Sequence, residues 1–265
     1  MWTNFSYYLF AVLSFWAISL ILLIMSYKKS AFIKPALLLF GMGWLALIVF
    51  LVQLWLQLER PPMRTLGETR LWYSTFIPLI GIITYARWKF KWFLAYSICM
   101  SALFLMINYL NPETHSKTLM PALQSIWFIP HVLVYLFSYA VLSVSCLVAI
   151  KGVYDMQKGY FNTKLLNLAD NLVYIGFGFL TLGLLFGALW AKEAWGHYWT
   201  WDPKEVWAFL TWMGYLIYIH YRYFHPTKTK IALYILAFAF VILIVCWFGV
   251  NYLPVAANSV HTYTQ

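Results

Sequence analysis

Long apolar runs, each close to the length of a bilayer crossing, alternate with short polar stretches along the whole chain. A helix needs about 20 predominantly apolar residues to cross a hydrocarbon core. Runs of that kind fall at roughly 5–26, 36–57, 71–86, 92–110, 128–150, 171–190, 204–224 and 231–252. The pattern predicts an all-α polytopic membrane protein with about eight transmembrane helices, forming a single transmembrane domain over 1–265. The third run is the short one. The first has no positive stretch ahead of it and no small-residue cleavage site behind its apolar core, so it is expected to be retained, not removed as a signal peptide. The connection 151–170, with Asp155 and Asp170, reads as a polar linker.

Composition agrees: 63% of the residues are hydrophobic and only 10% charged, against roughly a quarter charged in soluble domains. The net charge of +10 does not point to nucleic acid, because the basic residues flank the apolar runs as helix-end residues do. Their distribution gives an orientation. Twelve lie in one set of loops (Lys28, Lys29, Lys34, Arg87, Lys89, Lys91, Lys151, Lys158, Lys164, Arg222, Lys228 and Lys230) and six in the other (Arg60, Arg64, Arg70, Lys117, Lys192 and Lys204). The positive-inside bias puts both termini and the loops 58–70, 111–127 and 190–203 on the outer side, periplasmic in a bacterium. Cys99, Cys146 and Cys246 each lie alone inside an apolar run, so no thiol exchange is expected of the chain itself.

Six of the fifteen tryptophans fall between Trp190 and Trp212, in W-A-K-E-A-W-G-H-Y-W-T-W-D-P-K-E-V-W-A-F-L-T-W. Interfacial tryptophan belts spread over many helix ends; this density predicts a platform for a large planar ligand, haem, on an outer tryptophan-rich loop over 190–207 that leads into a helix. Asp202, Pro203 and Glu205 have the spacing of a capping box with proline at the first helical position, which by itself signals only a helix start. Such a start would also aim N–H groups and a partial positive charge outward beside Lys204, a setting suited to a carboxylate such as a haem propionate.

Two histidines share the predicted outer side with the indoles: His131, in Phe-Ile-Pro-His after an outer loop, and His261, in the C-terminal tail. Alone, His131 is explained by a backbone carbonyl partner and His261 by exposure. Together with the indoles they become candidate axial ligands, since imidazole is a common haem ligand and two saturate the iron. His220 lies sixteen residues into the run that begins at Lys204, about 24 Å deeper at 1.5 Å per residue. Ionisable groups at such depth are costly and usually functional, which suggests an inner haem site; the alternative is an imidazole snorkelling beside Arg222. His197 is a further candidate, and His115 and His225 read as solvated loop residues without a role.

The string W-G-x-Y-W-x-W-D-P-K-E-x-W, Trp195 to Trp207, resembles the WWD signature of haem-handling proteins: the CcsA/ResC-type subunit of the system II cytochrome c synthase, and the CcmC and CcmF proteins of system I. Eight spans, an outer histidine on each side of the motif and a C-terminal Val-His-Thr-Tyr are similar to the CcsA type over most of the chain. The resemblance implies that His131 and His261 are outer haem ligands at the reaction site and His220 a ligand within the membrane. It implies that Trp195, Gly196, Tyr198, Trp199, Trp201, Asp202, Pro203, Lys204, Glu205 and Trp207 form the haem-presenting loop. Arg60-Pro61-Pro62-Met63-Arg64-Thr65-Leu66-Gly67-Glu68 resembles a second family segment, either meeting propionates or simply turning between two helices. The tail departs from the family, with Asn258-Ser259-Val260-His261 where a Gly-Leu-His-Ser type of ending is usual.

The function this implies is export or presentation of haem b, as substrate and ligand, and its attachment to the two thiols of an apocytochrome c C-x-x-C-H segment. A CcsB/ResB-type membrane subunit is expected as a partner chain, in a bacterial inner membrane or a thylakoid. The sequence offers no nucleophile or acid–base dyad of its own, so catalysis would rest on positioning. Two other readings stand beside it: a CcmC-type haem transporter or chaperone without ligation activity, and a redox subunit with haem buried between facing helices.

Overall fold

The computed structural model describes residues 2–115, 122, 125–160, 162–254 and 259. Eight long helices make up most of them, with no strand among the described residues. The chain divides into two compact units, 1–120 and 121–265. The first contains α1 (Phe5–Met25), α2 (Ile33–Leu58), α3 (Leu66–Trp88) and α4 (Trp92–Leu110). In it α1 packs on α2 and on α4, and α3 on α4. Polar side chains inside this unit turn to backbone carbonyls, as they must where water is absent: the Trp16 indole donates to Phe40 O at 3.2 Å and Ser19 Oγ to Ala36 O at 2.8 Å.

The second unit contains α5 (Phe128–Gln157), α6 (Thr163–Trp195), α7 (Pro203–Phe224) and α8 (Thr229–Trp247). Here α5 packs extensively on α6 and also on α8, while α7 lies against α6 and α8. A polar tie holds the end of α7 to the first turns of α6: Arg222 Nη2 and Nε reach the two oxygens of Asp170 at 3.0 and 3.1 Å, and the Tyr218 hydroxyl donates to Oδ1 at 2.7 Å. The polar stretch 151–170 is much shorter as a linker than expected, since α5 runs on to Gln157 and α6 begins at Thr163. Helices outlast their apolar runs wherever polar residues still favour helix.

Six segments are long and apolar enough to cross a membrane: α1, Ser30–Leu58 with α2, α4, α5, α6 and α8. The protein is therefore a polytopic all-α membrane protein. Helices α3 and α7 fall outside that set; both are rich in Tyr and Trp, and they carry Glu68, Arg70 and Arg87, and Lys204, Glu205, His220 and Arg222, respectively. The three cysteines are unpaired thiols.

The segment Arg60–Glu68 is a closed turn. Glu68 is buried at 1% exposure and accepts the Arg60 fork at 2.9 and 3.0 Å, together with the backbone N–H groups of Arg64 at 2.6 Å and Thr65 at 3.3 Å. Thr65 Oγ1 in turn accepts the N–H of Glu68, which completes a capping box at the start of α3. Arg60 is thus committed inside the protein. His115, expected in solvent, instead stacks on Trp2 with ring centroids 3.8 Å apart and planes 9° from parallel, and burial pushes its pKa down.

Removing the Glu68 carboxylate strands a guanidinium and two backbone donors. Glu68→Ala is expected to cost about 3 kcal/mol of stability, and Arg60→Lys, which keeps a charge but loses the fork, about 1 kcal/mol. Thermal unfolding of the detergent-solubilised protein checks both, and an unchanged melting temperature in Glu68→Ala contradicts the description of this turn.

Candidate functional site

Helix α6 extends to Trp195 and ends on Gly196, whose φ of +84° forms a left-handed cap with its N–H on Lys192 O at 3.0 Å. Trp190 and Trp195 therefore stand on the last turns of a helix, and the connection itself is only 196–202. Trp190 is buried, with its indole N–H on Ala122 O at 2.7 Å and its ring packed on Phe128, His131 and Trp195 at 5.0, 5.3 and 4.9 Å. Trp212 donates to Thr181 Oγ1 at 2.9 Å and stacks on Phe177 at 5.3 Å. These two indoles bind helix to helix. Trp195, Trp199, Trp201 and Trp207 are the other four indoles of the segment, and of these Trp195 packs on Trp190.

Trp201 has φ +61°, in the left-handed region that a bulky side chain rarely adopts, and it is 64% exposed. The cause is Glu205. Its Oε2 accepts the N–H of Thr200 at 2.8 Å and of Asp202 at 3.1 Å, the residues before and after Trp201, and also lies 3.4 Å from the Thr200 hydroxyl. One carboxylate thus grips the chain before and after the indole and thrusts it outward. Trp199 and Phe209 meet the Trp201 ring edge to face at 5.7 and 6.0 Å. Trp199 Nε1 is buried without a partner among the described residues. Tyr198 is exposed beside the Lys192 ammonium, 5.4 Å from its ring.

The Asp202-Pro203-Lys204-Glu205 capping box is present as expected. Its donors, however, are spent internally. Asp202 Oδ1 accepts Lys204 N at 3.0 Å, its side chain also takes Glu205 N, Val206 N goes to Asp202 O at 2.9 Å, and Pro203 has no N–H. The first turn of α7 does not offer the free N–H groups expected for a propionate. Lys204, partly buried, is the cation of that turn.

His131, in the first turn of α5, places Nδ1 2.9 Å from Gly183 O on α6. A carbonyl only accepts, so Nδ1 carries the hydrogen and Nε2 the lone pair of the neutral ring, the tautomer a metal ligand needs. Tyr135 and Trp190 flank the ring at 4.7 and 5.3 Å. His261 lies outside the described residues. Two residues before it, Ser259 is buried and donates to Asp202 Oδ1 at 2.8 Å. His220 takes the same tautomer as His131 through Leu216 O at 2.9 Å. It is exposed in a recess of about 230 Å³ lined also by Tyr174, Ile219, Tyr223 and Phe224. Its neighbour Arg222 is held by Asp170, which leaves the recess to the imidazole. His197 is exposed in the connection.

A left-handed Trp201 makes a signed prediction. Glycine tolerates that backbone where alanine pays for its Cβ, so Trp201→Gly is expected to be more stable than Trp201→Ala by about 1 kcal/mol. Calorimetry of the two variants checks the order, and alanine equal to or above glycine contradicts the strained conformation.

The sequence profile of the family described as "Cytochrome C assembly protein" matches residues 63–256, which include His131, His220 and the tryptophan segment. The "Cytochrome c biogenesis protein CcsA" of Chlorella vulgaris is 32% identical, covering 89% of this chain and 87% of that protein. That of Panax ginseng is 30% identical over 83% and 84%, and that of Nicotiana tomentosiformis 33% over 79% and 80%. A solved structure described as "Cytochrome c Heme Lyase CcmF" matches with a TM-score of 0.72 at 18% identity, over 92% of this chain but 46% of that one. This chain thus spans about half of that protein's length, and the likeness is one of fold. The chain belongs to the cytochrome c assembly protein family, as a member of its CcsA type.

Proposed function

We propose that this chain presents haem b on its outer face and takes part in attaching it to apocytochrome c, as the CcsA-type half of a system II synthase working with a CcsB/ResB-type subunit. The observation that carries the reading is Trp201: an exposed indole in a strained backbone conformation, gripped on both sides by one buried carboxylate. Strain of this kind persists where function needs the side chain displayed. In this reading all eight helices cross the membrane, α3 and α7 shielding their charges against neighbours, with both termini and the 196–202 connection outside. The membrane is a bacterial inner membrane or a thylakoid.

His131 and His261 then hold the iron from opposite faces. The tautomer of His131 supports its part. For His261, support comes from the anchored Ser259 at the α7 cap, because two residues of chain reach at most about 7 Å. Trp195, Trp199, Trp201 and Trp207 cover the porphyrin, and Gly196, Tyr198, Asp202, Pro203, Lys204 and Glu205 shape and hold that surface. In the attachment each substrate thiol adds across a vinyl group: a carbon–sulfur bond forms, the carbon–carbon π bond is consumed, and the thiol hydrogen ends on the other vinyl carbon. The chain contributes orientation of the two reactants, the term worth most when no side chain reacts. A second reading, haem delivery without ligation as in CcmC-type proteins, is favoured by His220 exposed in its recess, a station suited to haem rising from the inner side.

Co-expression with a CcsB-type partner and a C-x-x-C-H apocytochrome separates the two. Covalent holocytochrome is expected, lost in His131→Gly and restored by added imidazole. Haem that copurifies with the chain while holocytochrome never forms supports delivery instead.

A further inference from the structure

We propose that two glycines of α6, Gly183 and Gly187, are positioning residues for His131: Gly183 supplies the carbonyl that orients the imidazole, and Gly187 the bare helix surface on which the ring lies. The proposal rests on the reading of His131 as a haem ligand.

Helices α5 and α6 meet along a track where α6 carries three glycines, with the buried Leu180 between the first two. A Cβ at Gly176 would stand 2.5 Å from Leu142 Cδ2, one at Gly183 2.5 Å from Tyr135 Cδ1, and one at Gly187 2.8 Å from His131 Cε1 and 2.9 Å from its Nδ1. The α6 positions 176, 183 and 187 share one helical face, and 142, 135 and 131 descend along α5 in the opposite sense. The close approach is what lets Nδ1 reach Gly183 O at 2.9 Å. Within the helix that carbonyl already serves the N–H of residue 187, and it has a second lone pair for the imidazole.

The ring has no cheap way to move aside. It is hydrogen-bonded to the same helix that would carry the new methyl group, and Tyr135 and Trp190 pack at 4.7 and 5.3 Å. A Cβ at residue 187 therefore pushes the imidazole off Gly183 O. That loses the direction of the Nε2 lone pair and the donation from Nδ1–H that strengthens Nε2 as a ligand. Gly178 is the internal control, since a Cβ there meets nothing within 4 Å. Gly176 is the packing control, because its clash is with Leu142 and not with the histidine.

The experiment compares haem occupancy and the visible absorption bands of the purified full chain, with and without imidazole. In Gly187→Ala, haem retention is expected to fall by about tenfold or more with loss of the wild-type bands, and imidazole restores both. Gly178→Ala keeps the wild-type spectrum, and any haem loss in Gly176→Ala is not restored by imidazole. Wild-type bands and occupancy in Gly187→Ala overturn the proposal, as does a loss that imidazole leaves untouched. His131→Gly separates the two levels: a wild-type spectrum there defeats the ligand reading itself, whereas loss in His131→Gly beside a normal Gly187→Ala defeats only the positioning role. If Gly187→Ala fails to accumulate, the double variant His131→Gly with Gly187→Ala decides. With the ring gone the methyl group meets no imidazole, so accumulation returns; continued failure overturns the proposal.

Discussion

Glu205 grips the N–H groups of Thr200 and Asp202, the residues before and after Trp201, and the display of that indole depends on the grip. Holding a tryptophan in the left-handed region costs roughly 1–2 kcal/mol. Two hydrogen bonds to a carboxylate contribute about 1.5–3 kcal/mol each, so the clasp outweighs the strain. The same chemistry recurs in the first unit, where Glu68 closes the Arg60–Glu68 turn through two backbone N–H groups and an arginine fork. In both places a glutamate at the third helical position reaches back over its own N-terminus and closes the preceding loop. The consequence for ligands is the same too: the helix start is saturated from within, and what it displays is side chains.

This changes what the tryptophan-rich segment does. Its six indoles divide by environment, with Trp190 and Trp212 spent on helix packing and hydrogen bonds while Trp201 stands out of the protein. The α6 helix links the two kinds. Its last turns carry Trp190 beside His131, and its glycine-bearing face receives that histidine. Ser259, bonded to Asp202, lies at the same cap that Glu205 completes. Support for haem presentation thus converges on the first turn of α5, the end of α6 and the start of α7.

Much of the helical content was readable in the sequence because bilayer-length apolar runs leave little choice of structure. Helix ends were less so. The apolar run of α6 fades after Trp190, yet the helix continues to Trp195 because only Gly196 supplies a left-handed stop. The capping box of α7 was visible in Asp202 and Glu205, since it depends on residues three apart. That Glu205 also reaches Thr200 was not, because the signal is a backbone conformation at Trp201. For His131 a backbone-carbonyl partner and a ligand role are compatible, as the carbonyl engages Nδ1 and the lone pair stays on Nε2. His115 escaped entirely: its partner, Trp2, is remote in sequence.

The most direct test of haem presentation is a cryo-electron microscopy map of the haem-loaded protein with its CcsB-type partner. The expected map has His131 Nε2 bonded to the iron, its Nδ1 still on Gly183 O, and the porphyrin lying beneath a left-handed Trp201. A porphyrin seated elsewhere, or an iron whose axial positions are filled without His131, contradicts it.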